Sequence, residues 1–516
     1  MIIVIDKIKN KLVPKDMSQI VEHVDFKTYI TDFSKHLHQL FRNEYDFNKM
    51  SLNRDLPADF KSKIMAKNPL AVAIPELHGG RGVQVKECLG VLAAASYESL
   101  SLSLMFGINI ALFLEPLAKY GHYPVQERIF RKFMEDQAMG GLMITEKLYG
   151  SDALNMKTSY KEVKEGYKID GEKHWQGLSG AADFWLVTAR KSNENGDLTR
   201  DIDFFVTDNS NSDQHIPMIE RYNNLGLYAI PYGINQIDIV VPEDQKLKPE
   251  STGLKLMLDM LHRSRLQFPG MGLGFIKRLM DESMAHCQNR IVGNASLSNI
   301  DAVKYQLSRI QAAYTICSGM CAYSSINSGI DKDLASAAIE ANTLKALITD
   351  LMQESAQIAL QLAGANGYRL DHIAGRAVVD SRPFQIFEGS NEMLYGQIAD
   401  AILKLMRKSK ENSLVNFLAN YANSTESIHY FASQLNFTID GPVSQRDAVT
   451  LGRIIARIIS FQFVLNMNGF NTDLVDSTRQ HMASDIAMLV GQYLSNNLAS
   501  PIFDYQENSD WMNFAG

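Results

Sequence analysis

The sequence predicts an α+β multidomain protein. It has an N-terminal all-α domain (18–140), a middle antiparallel β-domain (141–250), a C-terminal four-helix bundle (251–409) and an additional helical C-terminal extension (410–516). Two observations carry this prediction. The chain has 516 residues, whereas a single core stops growing near ~250–300 residues, so more than one packed unit is needed. The spacing of apolar residues is helical at first, shortens towards two between about 140 and 245, and then returns to helical in long segments.

Each element follows from its own residues. Phe33, Leu37, Leu40 and Phe41, and later Ile129, Phe130 and Phe133, recur at the spacing of a buried helix face. Ile74-Pro75-Glu76-Leu77-His78-Gly79-Gly80 interrupts them with a loop signal. In the middle region, 166–171 alternates between glycines, 184–189 is a short apolar run, and 202–207 and 237–242 follow. Their β-branched and aromatic content predicts antiparallel strands in a small sandwich or barrel. Helical spacing resumes over roughly 253–292, 299–328, 333–363 and 391–409. The third segment stops at Gly364-Ala365-Asn366-Gly367, a helix-ending signal. Four long helices with short links predict an antiparallel bundle. Ile454, Ile455, Ile458, Ile459 and Phe461 carry the helical pattern into the extension.

Composition excludes several classes. Apolar residues make up 46% of the chain, too many for a mainly disordered protein. Lys plus Arg is 51 and Asp plus Glu is 58, a net −7, which argues against a general nucleic-acid binder. No apolar run reaches the ~18 residues of a membrane span. Residues 1–6 are too short an apolar stretch for a secretory signal and are not an Arg-rich transit peptide. Four cysteines make no disulfide framework, so a cytoplasmic location is expected.

No metal motif appears. His36 and His38 are two apart and face different ways on a helix, and HExxH, CxxC, GxSxG and Walker A patterns are missing. Cys317 and Cys321 read as two buried core thiols. Gly270-Met271-Gly272-Leu273-Gly274 follows no strand, so it is no dinucleotide fingerprint. Its small residues let a helix approach either something flat or another helix.

Two segments carry chemistry. Phe384-Gln385-Ile386-Phe387-Glu388-Gly389-Ser390-Asn391 sets a carboxylate in an aromatic stretch before a long helix. Desolvation there would make Glu388 a better base. Alternatively, Glu388 is a carboxylate that satisfies the free N–H groups of a helix start. Thr145-Glu146, Gly150-Ser151-Asp152 and Lys173-His174-Trp175-Gln176-Gly177 offer hydroxyls, backbone donors and a flat ring that could bind a polar heteroaromatic. Alternatively, Trp175 is a core aromatic on its strand.

Together these stretches resemble the acyl-CoA dehydrogenase flavoprotein family across about residues 20–405. The matches fall in the family's order: the 74–80 loop, Ile144-Thr145-Glu146 through Gly150-Ser151-Asp152, Gly171 through Trp175, Arg265 through Arg290, Gln361 to Gly367, and Phe387-Glu388-Gly389-Ser390-Asn391. The resemblance implies FAD-dependent α,β-dehydrogenation of an acyl thioester. Glu388 would remove the α-proton, and flavin N5 would accept the β-hydride. Some members carry the base one position before the family's Arg. Here that position is Ser264, which cannot serve.

The resemblance also implies a cofactor set. Leu142, Ile144, Thr145 and Ser151 would lie around the isoalloxazine and the substrate edge, with Trp175, Gln176 and Gly177 on the flavin. Arg290, Gln361 and Gly364 would contact a neighbouring subunit's FAD, and Ser390 the FAD phosphates. Ser151, Arg265 and Gly389 would contact substrate. Shared FAD sites imply at least a homodimer, and an electron-transfer flavoprotein is the implied electron acceptor. Departures from the family pattern are Gly177 for a Thr or Ser, Lys147 for a Pro, Gly293 for a Phe, Asp301 for a Gln, Val379 for an Arg and Ala365 for a Gly. Three alternatives stand beside the acyl-CoA reading: a dehydrogenase of carrier-protein-bound acyl groups, a flavin oxidase or monooxygenase of the same fold, and a non-catalytic scaffold. By analogy with family members that carry such an extension, a dimer is expected rather than a tetramer.

Overall fold

Asp25 accepts a hydrogen bond from the Thr28 N–H and so opens helix α1 (Phe26–Gln39), which buries Phe33 and Leu37. In the computed structural model, residues 23–53, 56–467, 469, 471–495 and 500–501 are described. The readings of residues 1–6, of the domain start at 18–22 and of the extension beyond 501 lie outside the described residues. After α1 come α2 (Phe47–Asn53), α3 (Ala58–Met65), α4 (Val85–Glu98), α5 (Leu100–Asn109), α6 (Glu115–Tyr120) and α7 (Tyr123–Glu135). A π-helical segment, Ile110–Leu114, joins α5 to α6.

That junction corrects one expectation. Leu100–Tyr120 runs as one helix, long and apolar enough to cross a membrane, and so does Gln445–Leu465 further on. Both are mostly buried inside the protein, and a helix buried on all sides is apolar on all sides.

Glu115 lies buried at the start of α6. Gln267 Nε2 donates to both of its carboxylate oxygens at 2.8 Å. Burial pushes its carboxyl from 4.5 up to about 7. A carboxyl raised in the folded state gives stability that is present below about 4.5 and lost as pH rises through about 7. Glu115→Gln should therefore melt above the parent at about pH 8, with the gap closing at about pH 5. Thermal melts at both pH values check this, and a gap independent of pH would sink it.

The middle region forms β1 (Gly140–Met143), β2 (Ser159–Val163), β3 (Gly166–His174), β4 (Phe184–Lys191), β5 (Asp203–Asp208), β6 (Met218–Arg221) and β7 (Gly233–Val241). They make one seven-stranded sheet in the order β1-β4-β2-β3-β7-β6, with β5 pairing β4. The sheet is mixed rather than purely antiparallel, because β1 and β2 both run parallel to β4. The crossovers from β1 to β4 and from β2 to β4 allow this, since parallel neighbours need a long connection.

Then α8 (Gly253–Asn289), α9 (Asp301–Asn327), α10 (Ala338–Ala363), α11 (Ile373–Ser381) and α12 (Asn391–Ser409) follow. Thr252 caps α8 through the Lys255 N–H. α8 packs against α9, α10 and α4, and α12 packs against α10. A Cβ on Gly270 would lie 3.0 Å from Leu89, one on Gly272 2.6 Å from Ile348, and one on Gly274 would strike the Ala93 carbonyl. The small-residue stripe therefore seats α8 against α4 and α10; its neighbours are helices. Cys317 is buried, with Sγ 3.1 Å from the Pro269 carbonyl, but Cys321 is only half-buried, so the expected pair of core thiols reduces to one.

The extension adds α13 (Leu414–Leu418), α14 (Gln445–Leu465) and α15 (Thr472–Leu494). α14 lies against α12 and α9, and α15 packs on α14 and α9. Arg309 on α9 meets Asp485 on α15 at 2.7 Å, and Arg457 on α14 meets it at 3.3 Å.

Candidate active site

Phe384 and Phe387 press the chain against α8, with ring centroids 4.9 Å apart and each 6.0 Å from Phe268. The next residues turn left-handed in succession, Glu388 with φ +53° and Gly389 with φ +94°. For Glu388 that conformation costs ~1–2 kcal/mol, so other contacts must hold it. Glycine suits the second position conformationally, since a φ of +94° strains any residue that carries a Cβ.

The holding contacts come from α8 and α10. Arg265 donates from Nε and Nη2 to the Glu388 carbonyl at 3.1 and 2.8 Å, and from Nη1 to Asn342 Oδ1 at 2.7 Å. Lys345 Nζ donates to the Gly389 carbonyl at 2.7 Å and to Asn391 Oδ1 at 3.0 Å. Asn391 in turn donates to the Ala346 carbonyl and to Asp350, which also accepts from Gln385 and Tyr395.

The Glu388 carboxylate faces inward although the residue as a whole is half-buried. Ser264 Oγ donates to Oε1 at 2.9 Å, while Oε2 is buried with no hydrogen-bond partner. Burial raises this carboxyl above its ordinary 4.5. The charge of Arg265, the Ser264 hydrogen bond and the charge of Lys345 pull the other way but do not cancel it.

The second cluster lies on the sheet. Leu142, Ile144 and Thr145 at the end of β1 are half-buried, while Gly141 and Met143 between and beside them are buried. Trp175 does not sit in a core or on its strand. It follows the last residue of β3, adopts φ +62°, is 57% exposed and packs against Tyr222 with centroids 4.3 Å apart. Gln176 turns inward. Its side chain donates to the Thr145 carbonyl at 2.9 Å and accepts from the Ile144 N–H at 3.4 Å, so it staples the platform from behind. Gly177 is half-buried and Ser151 is exposed. Beneath them Lys173, fully buried, pairs with Glu146 at 3.1 Å, and burial pulls its ammonium down to about 8.

The third cluster lies apart from the first. Arg290, Gln361 and Gly364 are exposed, and they share one end of the bundle because Cys287 and Leu362 pack in the same small apolar cluster. Arg290 caps α8 25 residues beyond Arg265, which is about 37 Å along a helix axis at 1.5 Å per residue. The structure therefore does not bring these three to Glu388 within one chain. It also revises Arg265: with three of its donors committed to Glu388 and Asn342, this side chain works as an internal clamp.

Residues 141–238 match the model of the acyl-CoA dehydrogenase middle domain, and residues 251–403 match that of the acyl-CoA dehydrogenase C-terminal domain. Over these two domains the chain belongs to the acyl-CoA dehydrogenase family. It is 24% identical over 354 residues to the mouse mitochondrial very long-chain specific acyl-CoA dehydrogenase, covering 67% of this chain and 53% of that protein. The chain thus spans about half the length of this relative. In fold it is similar to the crystal structure of an acyl-CoA dehydrogenase complexed with FAD from Bacillus anthracis, with a TM-score of 0.73 at 16% identity over 93% of this chain and 92% of that one. It is also similar in fold to the prolyl acyl carrier protein oxidase AnaB, with a TM-score of 0.65 at 17% identity over 72% and 98%.

FAD is the cofactor of this family, and the residues present fit it. Ser390 at the N-cap of α12 makes no side-chain capping bond, which leaves helix-start N–H groups for a phosphate. Trp175 offers an exposed ring beside the half-buried strand end. Gly364, at φ +64°, has open space where a Cβ would be.

Sequence reasoning missed Lys345, Asn342 and Asp350, and it quoted Asn391 in a motif without giving it a role of its own. Lys345 carried one usable signal, a lone cation inside the apolar run Leu344-Lys345-Ala346-Leu347-Ile348.

Proposed function

We propose that this chain is an FAD-dependent dehydrogenase that introduces an α,β double bond into an acyl thioester, with Glu388 as the base. The observation that carries the reading is the carboxylate itself, one oxygen engaged by Ser264 and the other buried and unpartnered. A thioester carbonyl acidifies the adjacent α C–H, and the free Oε2 is the atom that can take that proton. Desolvation strengthens it as a base towards neutral pH. The Ser264 hydroxyl orients Oε1, and the backbone N–H of Glu388 would hold the thioester oxygen as negative charge develops there. FAD, when bound, supplies the acceptor for the hydride that leaves the β-carbon.

Leu142, Ile144 and Thr145 would line the flavin edge, Trp175 its face, and Ser390 with the start of α12 its phosphates. The distance between Arg265 and Arg290 supports a cofactor shared between copies, hence at least a homodimer. The seating of α14 and α15 over α9 and α12 supports a dimer rather than a tetramer, and an electron-transfer flavoprotein is the proposed electron acceptor.

The test is an anaerobic titration of the FAD-loaded protein with a panel of acyl-CoA esters of increasing chain length. At least one should bleach the flavin absorbance. The commitment of Arg265 to internal partners favours keeping the carrier open, so the same acyl groups on an acyl carrier protein belong in the panel. If no thioester of either kind bleaches the flavin, the reading fails. Hydrogen peroxide released as fast as dye is reduced would instead mark an oxidase.

A further inference from the structure

We infer that Lys345 is a positioning residue for Glu388. It anchors the Gly389 carbonyl so that the left-handed turn at 388–389 stays closed, and it places a second buried positive charge, after that of Arg265, against the turn that carries the carboxylate. This rests on the reading of Glu388 as the base.

Lys345 lies in the middle of α10 with Leu344, Ala346, Leu347 and Ile348 around it, all buried, and its own side chain is fully buried. A buried ammonium is costly unless its charge and its three protons are compensated. Among the described residues it forms no ion pair with a carboxylate; its hydrogen bonds go to the Gly389 carbonyl and to Asn391 Oδ1. A helix stabilised only by packing would carry leucine here. A cation kept at this depth, aimed at the residue after Glu388, points to that loop.

The arrangement is a double clamp. Arg265 on α8 grips the Glu388 carbonyl and Lys345 on α10 grips the Gly389 carbonyl. These are the two successive positive-φ residues, and the turn draws both carbonyls onto cations. Asn391 completes the frame, accepting from Lys345 and Thr349 and donating to Ala346 and Asp350. The charges facing this site are Arg265 from α8, Lys345 and Asp350 from α10, and Glu392 from α12. Burial pulls the Lys345 ammonium down to about 7 and pushes the Glu388 carboxyl up, and each charge favours the other. Taking the charge of Lys345 away therefore leaves Glu388 protonated to higher pH.

The experiment uses the full FAD-loaded chain and no substrate. An infrared titration follows the carbonyl stretch of the protonated Glu388 carboxyl, identified by its loss in Glu388→Gln. Lys345→Met should move its midpoint up by about one pH unit. Lys345→Gln, which keeps a hydrogen-bond donor without the charge, should do the same and serves if the methionine variant does not fold. Lys345→Arg should restore a midpoint near the parent's. A lysine with a purely structural role would lower the melting temperature in these variants and leave the midpoint in place. An unmoved midpoint in both neutral variants, or one moved equally by arginine, overturns the inference. Failure of the base assignment reads differently, as turnover retained by Glu388→Gln, and the substrate-free midpoint is independent of it.

Discussion

Glu388→Gln is expected to lose turnover by ~10²–10⁴-fold while keeping its fold and its FAD. The substitution is nearly isosteric. The Ser264 hydroxyl can still donate to the amide oxygen at the place of Oε1, and Arg265 and Lys345 bind backbone carbonyls that the change leaves alone. What disappears is the unpartnered basic oxygen, the one group at this turn able to take a proton from carbon. The amide also removes a buried charge, so stability should not fall. Steady-state rates with any ester that bleaches the parent, alongside the flavin spectrum and a melt, check this. Full turnover in the variant would place the base elsewhere.

Gly452→Val is expected to destabilise the protein by about 3 kcal/mol, the upper part of the range for overpacking. Gly452 lies where α14 crosses α12, and a Cβ there would fall on the carbonyl of Tyr395, with Tyr395 Cα only 2.9 Å away. Those are backbone atoms of a helix, which no rotamer change can clear. Tyr395 also holds Asp350, which holds Asn391, so displacing α12 should loosen the turn that carries Glu388. Gly396→Ala on α12 is the control, because its Cβ would meet nothing nearer than Val449 at 4.0 Å. It should be neutral or stabilising by ~0.5 kcal/mol, since alanine favours a helix interior. Denaturant midpoints of both variants test the pair. Equal midpoints would mean that α14 does not sit as described.

The parts of the site that were legible in the sequence are those with a local signature. Glu388 stood out because a carboxylate between Phe387 and Gly389 is chemically odd. The same letters also allowed a helix-start carboxylate, and only the partnerless Oε2 separates the two. Trp175 by itself favoured a core reading, and its φ of +62° and its exposure make it a platform instead. The glycines at 270, 272 and 274 announced a close approach without naming the neighbour, and α4 and α10 answer that. Lys345 escaped because helical periodicity registers a stripe of apolar residues. The partners that give this lysine a purpose lie 44 and 46 residues further along.

The order of helical region, sheet and bundle and the long helices followed from the chain's own pattern, while the roles of the site residues came from its resemblance to the acyl-CoA dehydrogenase family. Backbone preference and side-chain period are local properties, readable a few residues at a time. The parallel placement of β1 and β2, the inward turn of Arg265 and Gln176, the burial of two apolar helices long enough for a membrane, and the two cations around the 388–389 turn came only with the folded chain. These depend on which distant segment excludes water from a group and which donor reaches it, and packing across the sequence alone supplies both.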